Sequence, residues 1–399
     1  MAVASAAHTE MGTTHRWHVR RRRQSDVRLT FTILIFTLLS QLGNAQANPA
    51  SFSDVASKAM AAREANDVPS AIELYQQALK LDSQWPDGWW FLGSLQYGTG
   101  AYAAADNALS HYLDLTPNAA PALAMRGLCE FETAEYQSSL NDIQRALALG
   151  AANQPRNEKI LRYHEALLLT RTGRFEDALR SYAFFARDDA NDSNSELLLA
   201  VGLAGLRTPL LPKELKADQT ELYIGVGKAA FDFMKGDKEI AREQFQRLFQ
   251  RVPAVLNAHY LYGYLLYASD PEEAMVEFRN ELAANPSNTA AEVMLAWIPL
   301  LQNDGSEALP YARKAVAEDP ALPSAQLVLG RALSETGDTK GGLEHLEKTV
   351  QLQPDNLEVH LALAKAYSKS GRKEDARRER LLCLEMTKTK NDTASATHP

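Results

Sequence analysis

Apolar residues in this chain recur on a helical spacing, and the helices recur on a longer one. In residues 323–356, Leu329, Gly330 and Leu333 mark one face of a first helix. Gly342, Leu346 and Thr349 mark a second helix at i, i+4 and i+7. Thr336, Gly337 and Asp338 separate the two, and Pro354 forbids continuation. One small residue returns every 34 positions: Ala71, Ala105 and Ser139, then Ala274, Ala308, Gly342 and Ala376. Pro286, Pro320 and Pro354 keep the same step. A fixed period in this range means stacked copies of one two-helix unit, each unable to bury its apolar face alone. The pattern predicts an all-α solenoid that grows lengthwise instead of around one central core.

The unit resembles the tetratricopeptide repeat, whose pattern is W-x2-L-G-x2-Y, then A-x3-F, then P. Trp89, Leu92 and Gly93 match its first helix, with Gln96 in place of the Tyr, and Leu363, Ala364 and Tyr367 match it in the last repeat. Ala241, Phe245 and Pro253 match the second helix, as do Ala274, Phe278 and Pro286. Repeats are predicted over 52–85, 86–119, 120–153, 159–192, 222–255, 256–288, 289–322, 323–356 and 357–390. The resemblance implies a superhelix whose first helices line a surface for protein or peptide partners. Its motif residues are structural and name no partner.

The period breaks twice. Ser139 to Ala178 is 39 positions, and Ala178 to Ala241 is 63, one repeat plus 29. Residues 193–221 therefore read as a degenerate unit, its second helix interrupted by Pro209 and Pro212. This divides the chain into an array over 48–192, a connector over 193–221 and an array over 222–390. Few regular contacts are expected across 207–221. Pro299 is expected to kink its helix, and 391–399 to form a disordered polar tail.

The first 47 residues are a different object. Arg16, Arg20, Arg21, Arg22, Arg23 and Arg28 precede an uncharged run over 29–42, and Ala45-Gln46-Ala47 follows. A basic head, a short apolar run and a small-residue exit describe a secretory signal peptide, cut after Ala47. The alternative is an uncleaved membrane anchor, although the run is short of the roughly 20 residues that span a bilayer. Export to the periplasm or beyond is the expectation, with membrane contact only if the segment stays. Without it the chain keeps 36 Lys and Arg against 48 Asp and Glu. That balance disfavours nucleic acid, whose binding needs clustered cations. The only cysteines, Cys129 and Cys383, lie too many repeats apart to bridge.

Candidate chemistry is sparse. No two histidines stand at i, i+4, and neither H-E-x-x-H, C-x-x-C nor G-x-S-x-G occurs. Gly225, Gly227 and Lys228 resemble a nucleotide loop faintly, but within a predicted helix and without a preceding strand. No catalytic residue, cofactor or metal is expected. The surface lined by first helices carries the expectation of function. One position beyond the packing phase, and four and seven further on, stand Trp90 and Tyr97, then Ala124, Leu128 and Phe131, with Tyr163 and Phe233 in later repeats. The phase continues with Tyr260, Tyr264 and Tyr267, then Trp297, and ends with Arg331 and Lys365. Aromatics with polar tips suit partner binding. The predicted function is a non-catalytic scaffold or adaptor gripping a peptide-like segment there. The alternatives are a structural part of an envelope assembly or polysaccharide export complex, and an enzyme or its regulator.

Overall fold

The computed structural model describes residues 51–151, 155–188, 194–253 and 255–395. The predicted signal segment, its cut after Ala47 and residues 396–399 lie outside the described residues. Residues 51–54, the described part of a first unit, form one capping turn. The Ser51 hydroxyl donates to Asp54 and accepts from its backbone N–H. From Val55 onward the chain forms one compact unit.

Helices account for the regular structure of the described residues. They come as hairpins: α1 (Phe52–Glu64) with α2 (Val68–Leu81), α3 (Pro86–Gly98) with α4 (Tyr102–Leu115), α5 (Ala120–Glu132) with α6 (Tyr136–Ala148), and α7 (Pro155–Arg171) with α8 (Phe175–Asp188). A single helix, α9 (Ser195–Gly205), and a 3₁₀ turn (Pro212–Glu214) follow. Hairpins resume with α10 (Thr220–Lys235) and α11 (Lys238–Arg251), α12 (Ala258–Leu266) and α13 (Pro271–Ala284), and α14 (Thr289–Leu301) and α15 (Gly305–Glu318). The last two are α16 (Pro323–Glu335) with α17 (Thr339–Leu352), and α18 (Leu357–Lys369) with α19 (Lys373–Ser395). The fold is an all-α repeat solenoid. The helix α19 runs to Ser395, so residues 391–395 are helical where a disordered tail was expected.

The 34-residue period has a direct cause. Ala71, Ala105, Ser139, Ala178, Ala241, Ala274 and Ala308 are wholly buried, and Ala376 and Gly342 nearly so. Each sits where the two helices of a hairpin cross. A Cβ on Gly342 would stand 2.8 Å from the carbonyl oxygen of Gly330 in the paired helix. Ser139 replaces the alanine and spends its hydroxyl on the Gly127 carbonyl at 2.7 Å, so no buried donor is wasted. Four of the second helices start on side-chain caps: Asp67, Asp270, Asp304 and Asp338 each accept from a backbone N–H three residues on. Gly173 and Gly337, with φ of 79° and 99°, reverse the chain between helices.

The region 193–221 is not the weak connector its prolines suggest. Residues 197–205 of α9 are buried all round, as expected of a helix apolar on every side. α9 crosses α10 at two glycines. A Cβ on Gly202 would collide with the Tyr223 carbonyl, and one on Gly227 with the Leu198 carbonyl. Beyond α9 the chain turns at Arg207 (φ 54°) and is tied down. Arg171 donates to the Pro209 carbonyl at 2.6 Å, Glu214 accepts from the Leu211 N–H at 2.7 Å, and Leu211 is 2% exposed. One apolar core runs through this region without a break, from residue 131 to residue 298. Close helix contact, permitted by the glycines, replaces the missing second helix.

Candidate partner-binding surfaces

The tyrosine face of α12 does not look outward. Its N-terminus is held by Glu281, a fully buried carboxylate that accepts from the backbone N–H groups of Asn257 and Tyr260 at 2.9 and 3.2 Å and from the Asn288 amide at 3.1 Å. Tyr260 is 4% exposed, and its hydroxyl donates to Glu176 of α8 at 2.6 Å. Burial, then the Glu176 charge, pushes its hydroxyl well above the usual tyrosine range. Arg207 pairs with the same carboxylate and lies over the Tyr260 ring, 5.0 Å from its centroid. One turn on, the Tyr264 hydroxyl accepts from Arg180 of α8 at 3.2 Å. The ring of Tyr267 lies 5.5 Å from that of Tyr264, and both are half-buried. The face predicted as the centre of a partner groove is therefore an internal joint with α8. The correction holds fully for Tyr260, and in part for Tyr264 and Tyr267.

Phe131 also moves inside. It is 8% exposed, with His164 edge-on at 4.9 Å and the Lys213 ammonium 5.8 Å over its ring. The segment carrying Pro209 and Pro212 covers it. Tyr163 is half-buried and donates to Glu196 at 3.2 Å. Phe233, half-buried at the end of α10, carries the Lys238 ammonium 5.5 Å over its ring.

Trp90 and Tyr97 do come together. With Ala124, Met125 and Leu128 of α5 and Ile160 and Leu161 of α7, they line a cavity of about 220 Å³. Three successive first helices, α3, α5 and α7, supply these walls. Tyr112 of α4 backs the Trp90 ring at 5.6 Å, and Tyr102 meets Tyr97 edge-on at 5.7 Å, so both aromatics are braced from behind. Ile160 is 39% exposed at the rim. The lining side chains are apolar apart from Asn157, the Tyr97 hydroxyl and the Trp90 indole N–H. The pocket's size and lining match an aliphatic or aromatic side chain.

Arg331 and Lys365 share a second, wider cavity of about 1030 Å³ with Leu357, Leu361 and Met386. Neither cation is idle. Arg331 donates to the Leu300 carbonyl at 3.1 Å, meets Glu358 at 3.5 Å and stacks on Trp297 at 4.8 Å. Trp297 is half-buried beneath it. Lys365 reaches Glu335 at 2.6 Å and Asn303 at 2.9 Å. The wall opposite comes from Arg180 of α8. Sequence reasoning missed Arg180, because its place depends on the α8–α12 joint.

Several histidines and both cysteines are held in packing contacts. His259 stacks on Phe249 with ring centroids 3.8 Å apart, and His360 bonds Glu379 and the Pro354 carbonyl, both at 2.7 Å. Burial holds His164 and His345 below the usual histidine range, so they are neutral near pH 7. Cys129 and Cys383 are buried, and burial pushes the Cys129 thiol up to about 12, too high for a reactive thiolate. Among the described residues no group of His, Cys, Asp and Glu could hold a metal ion, and no helix is long and apolar enough to cross a membrane.

Three stretches match family profiles described as tetratricopeptide repeat: 57–120 and 264–323 match one profile, and 335–379 another. The chain thus carries tetratricopeptide-repeat sequence over these three stretches. No curated protein sequence matches it. Among solved structures it is similar to MamA from Desulfovibrio magneticus RS-1, at 20% identity over 44% of this chain and 98% of that one, TM-score 0.38. It is also similar to yeast Tom70, at 13% identity over 86% and 94%, TM-score 0.36. A third is YrrB, described as a TPR protein with an unusual peptide-binding site, at 17% identity over 44% and 91%, TM-score 0.36. Likeness at this level carries no argument about function.

Proposed function

We propose that this protein is a non-catalytic scaffold that holds an apolar side chain of a peptide-like partner segment between α3, α5 and α7. The observation behind this reading is the braced pocket of Trp90, Tyr97, Ala124 and Leu128. It lies on first helices, its aromatics are held from behind, and its lining offers contact area without reactive groups. The signal-like N-terminal sequence supports an exported protein of the periplasm or cell envelope. N-terminal sequencing of protein from its native host tests that part, and a chain retaining residues 29–42 refutes cleavage.

The pocket itself is tested by panning a displayed peptide library against the wild type and against Leu128→Arg. The expected result is an apolar consensus that binds the wild type and is lost on the variant, with unchanged circular dichroism. Ala124→Glu serves as the second variant should Leu128→Arg fail to fold. Selected peptides that bind all of these equally well would overturn the assignment.

A further inference from the structure

Arg180 stands at the shared wall of two cavities. On one side is the basin that holds Arg331 and Lys365. On the other is a cleft of about 690 Å³ along α7 and α8, lined by Arg162, Arg174, Arg180 and Arg187. We propose that the two form one cationic track that binds an extended acidic peptide segment. This does not rest on the apolar pocket, which lies on other residues.

The charge count favours an anion. The cleft sets four guanidinium groups against two lining carboxylates, Glu165 and Asp177, and Arg162 also pairs with Glu158 at 3.3 Å. Glu165 is buried at the floor and already bonded by Gln144 at 3.2 Å and Ser181 at 3.5 Å, with Arg162 at 3.7 Å. Asp177 is shared between Arg174 and Arg180, so it neutralises one of them. The basin is balanced, with Arg331 and Lys365 against Asp355 and Glu358 and with Glu335 bonded to Lys365, so the excess of cations lies in the cleft. A cationic strip runs against the composition of a chain whose net charge is −8. The heads are accessible: the Arg180, Arg174 and Lys365 side chains are 64%, 50% and 51% exposed. Arginine forks grip carboxylates in two-point hydrogen bonds.

A peptide fits this track better than a nucleic acid. The interspersed carboxylates would repel a backbone charged at every step. A peptide can place acidic residues between them and lay apolar ones on Leu357 and Leu361, the latter 51% exposed. The two rims also belong to helices far apart in sequence, so an extended segment joins α8 to α18.

The test is fluorescence anisotropy at low salt with a labelled peptide of about ten alternating Glu and Leu residues, long enough to reach roughly 33 Å. Wild type should bind it and lose affinity as salt rises. Arg180→Gln and Arg187→Gln should each weaken binding about tenfold, the worth of one charge-assisted hydrogen bond. Arg247→Gln, on α11 and outside the track, should bind as wild type does. Arg180→Gln also loses its bond to Tyr264, so its melting curve is recorded. Arg187→Gln keeps the test decisive should that variant unfold. No binding at low salt, equal losses in Arg247→Gln, or tighter binding of an oligonucleotide of the same charge would each overturn the proposal.

Discussion

The Tyr260 hydroxyl donates to Glu176 across 84 positions of chain, at 2.6 Å. A stack of repeats has no need of such a contact, since each unit touches only its neighbours. Here α12 meets α8 because α9 and α10 cross at glycines and carry the chain back.

Tyr260→Phe removes that hydroxyl and keeps the ring. The hydrogen bond ends on a carboxylate, so the loss should be about 1–2 kcal/mol in urea unfolding. Arg207 still pairs with Glu176, which limits the damage. An unchanged midpoint would mean that the joint does not form in solution.

Two glycines on α10 should respond in opposite directions. A Cβ on Gly227 collides with the Leu198 carbonyl, whereas one on Gly225 meets nothing within 4 Å. Gly227→Ala should cost on the order of 1–3 kcal/mol through overpacking. Gly225→Ala should gain up to about 1 kcal/mol through helix propensity. Equal effects in urea melts would show that α9 does not lie against α10.

Glu130 should make stability fall with rising pH. It is 7% exposed on α5, and burial, then the Asp142 charge, pushes its carboxyl up to about 8. Between its ordinary value, near 4.5, and about 8 the folded chain holds a proton that the unfolded chain releases. Stability from this group is therefore fully present below that window and lost through it. Glu130→Gln keeps the shape and discards the titration. It should melt higher than wild type at pH 8, with the gap closing towards pH 4.5. A gap independent of pH would rule this out.

Limited trypsin digestion checks the covered segment. Arg207 and Lys213 look like sites in a proline-broken linker. They lie instead in a stretch pinned by Arg171 and by the buried Leu211. Cleavage at either bond should be late, and Arg171→Ala should advance it. Early cutting at Arg207 in the wild type would restore the picture of two separate arms.

The hairpins were legible because Ala71, Ala105 and their equivalents are set by a local requirement, two helices touching at one small residue. Trp90 and Tyr97 were legible for the same reason, since helical phase alone places them beside α5. The α8–α12 joint was not. It depends on an orientation set by Gly202 and Gly227, and tyrosine suits a groove and a polar interior equally well. One signal was present: the sequence of α9, with leucine, valine and alanine on every side, belongs to a helix without a solvent face. Arg331 and Lys365 were placed in the right phase, but their partners Glu358 and Glu335 lie in other helices and could not be read from spacing.

The joint also constrains how the chain can change in length. A solenoid ordinarily tolerates gain or loss of a whole unit anywhere, since the new neighbours stack as the old ones did. Between Arg180 and Tyr264 that freedom is gone. An added hairpin there would carry α12 past α8, and a missing one would leave it short. Before α7 the rule of interchangeable units still holds. From α8 to α18 it does not, because Arg180 also lines a cavity with Leu361 and Lys365, so the molecule is a measured span from α8 onward.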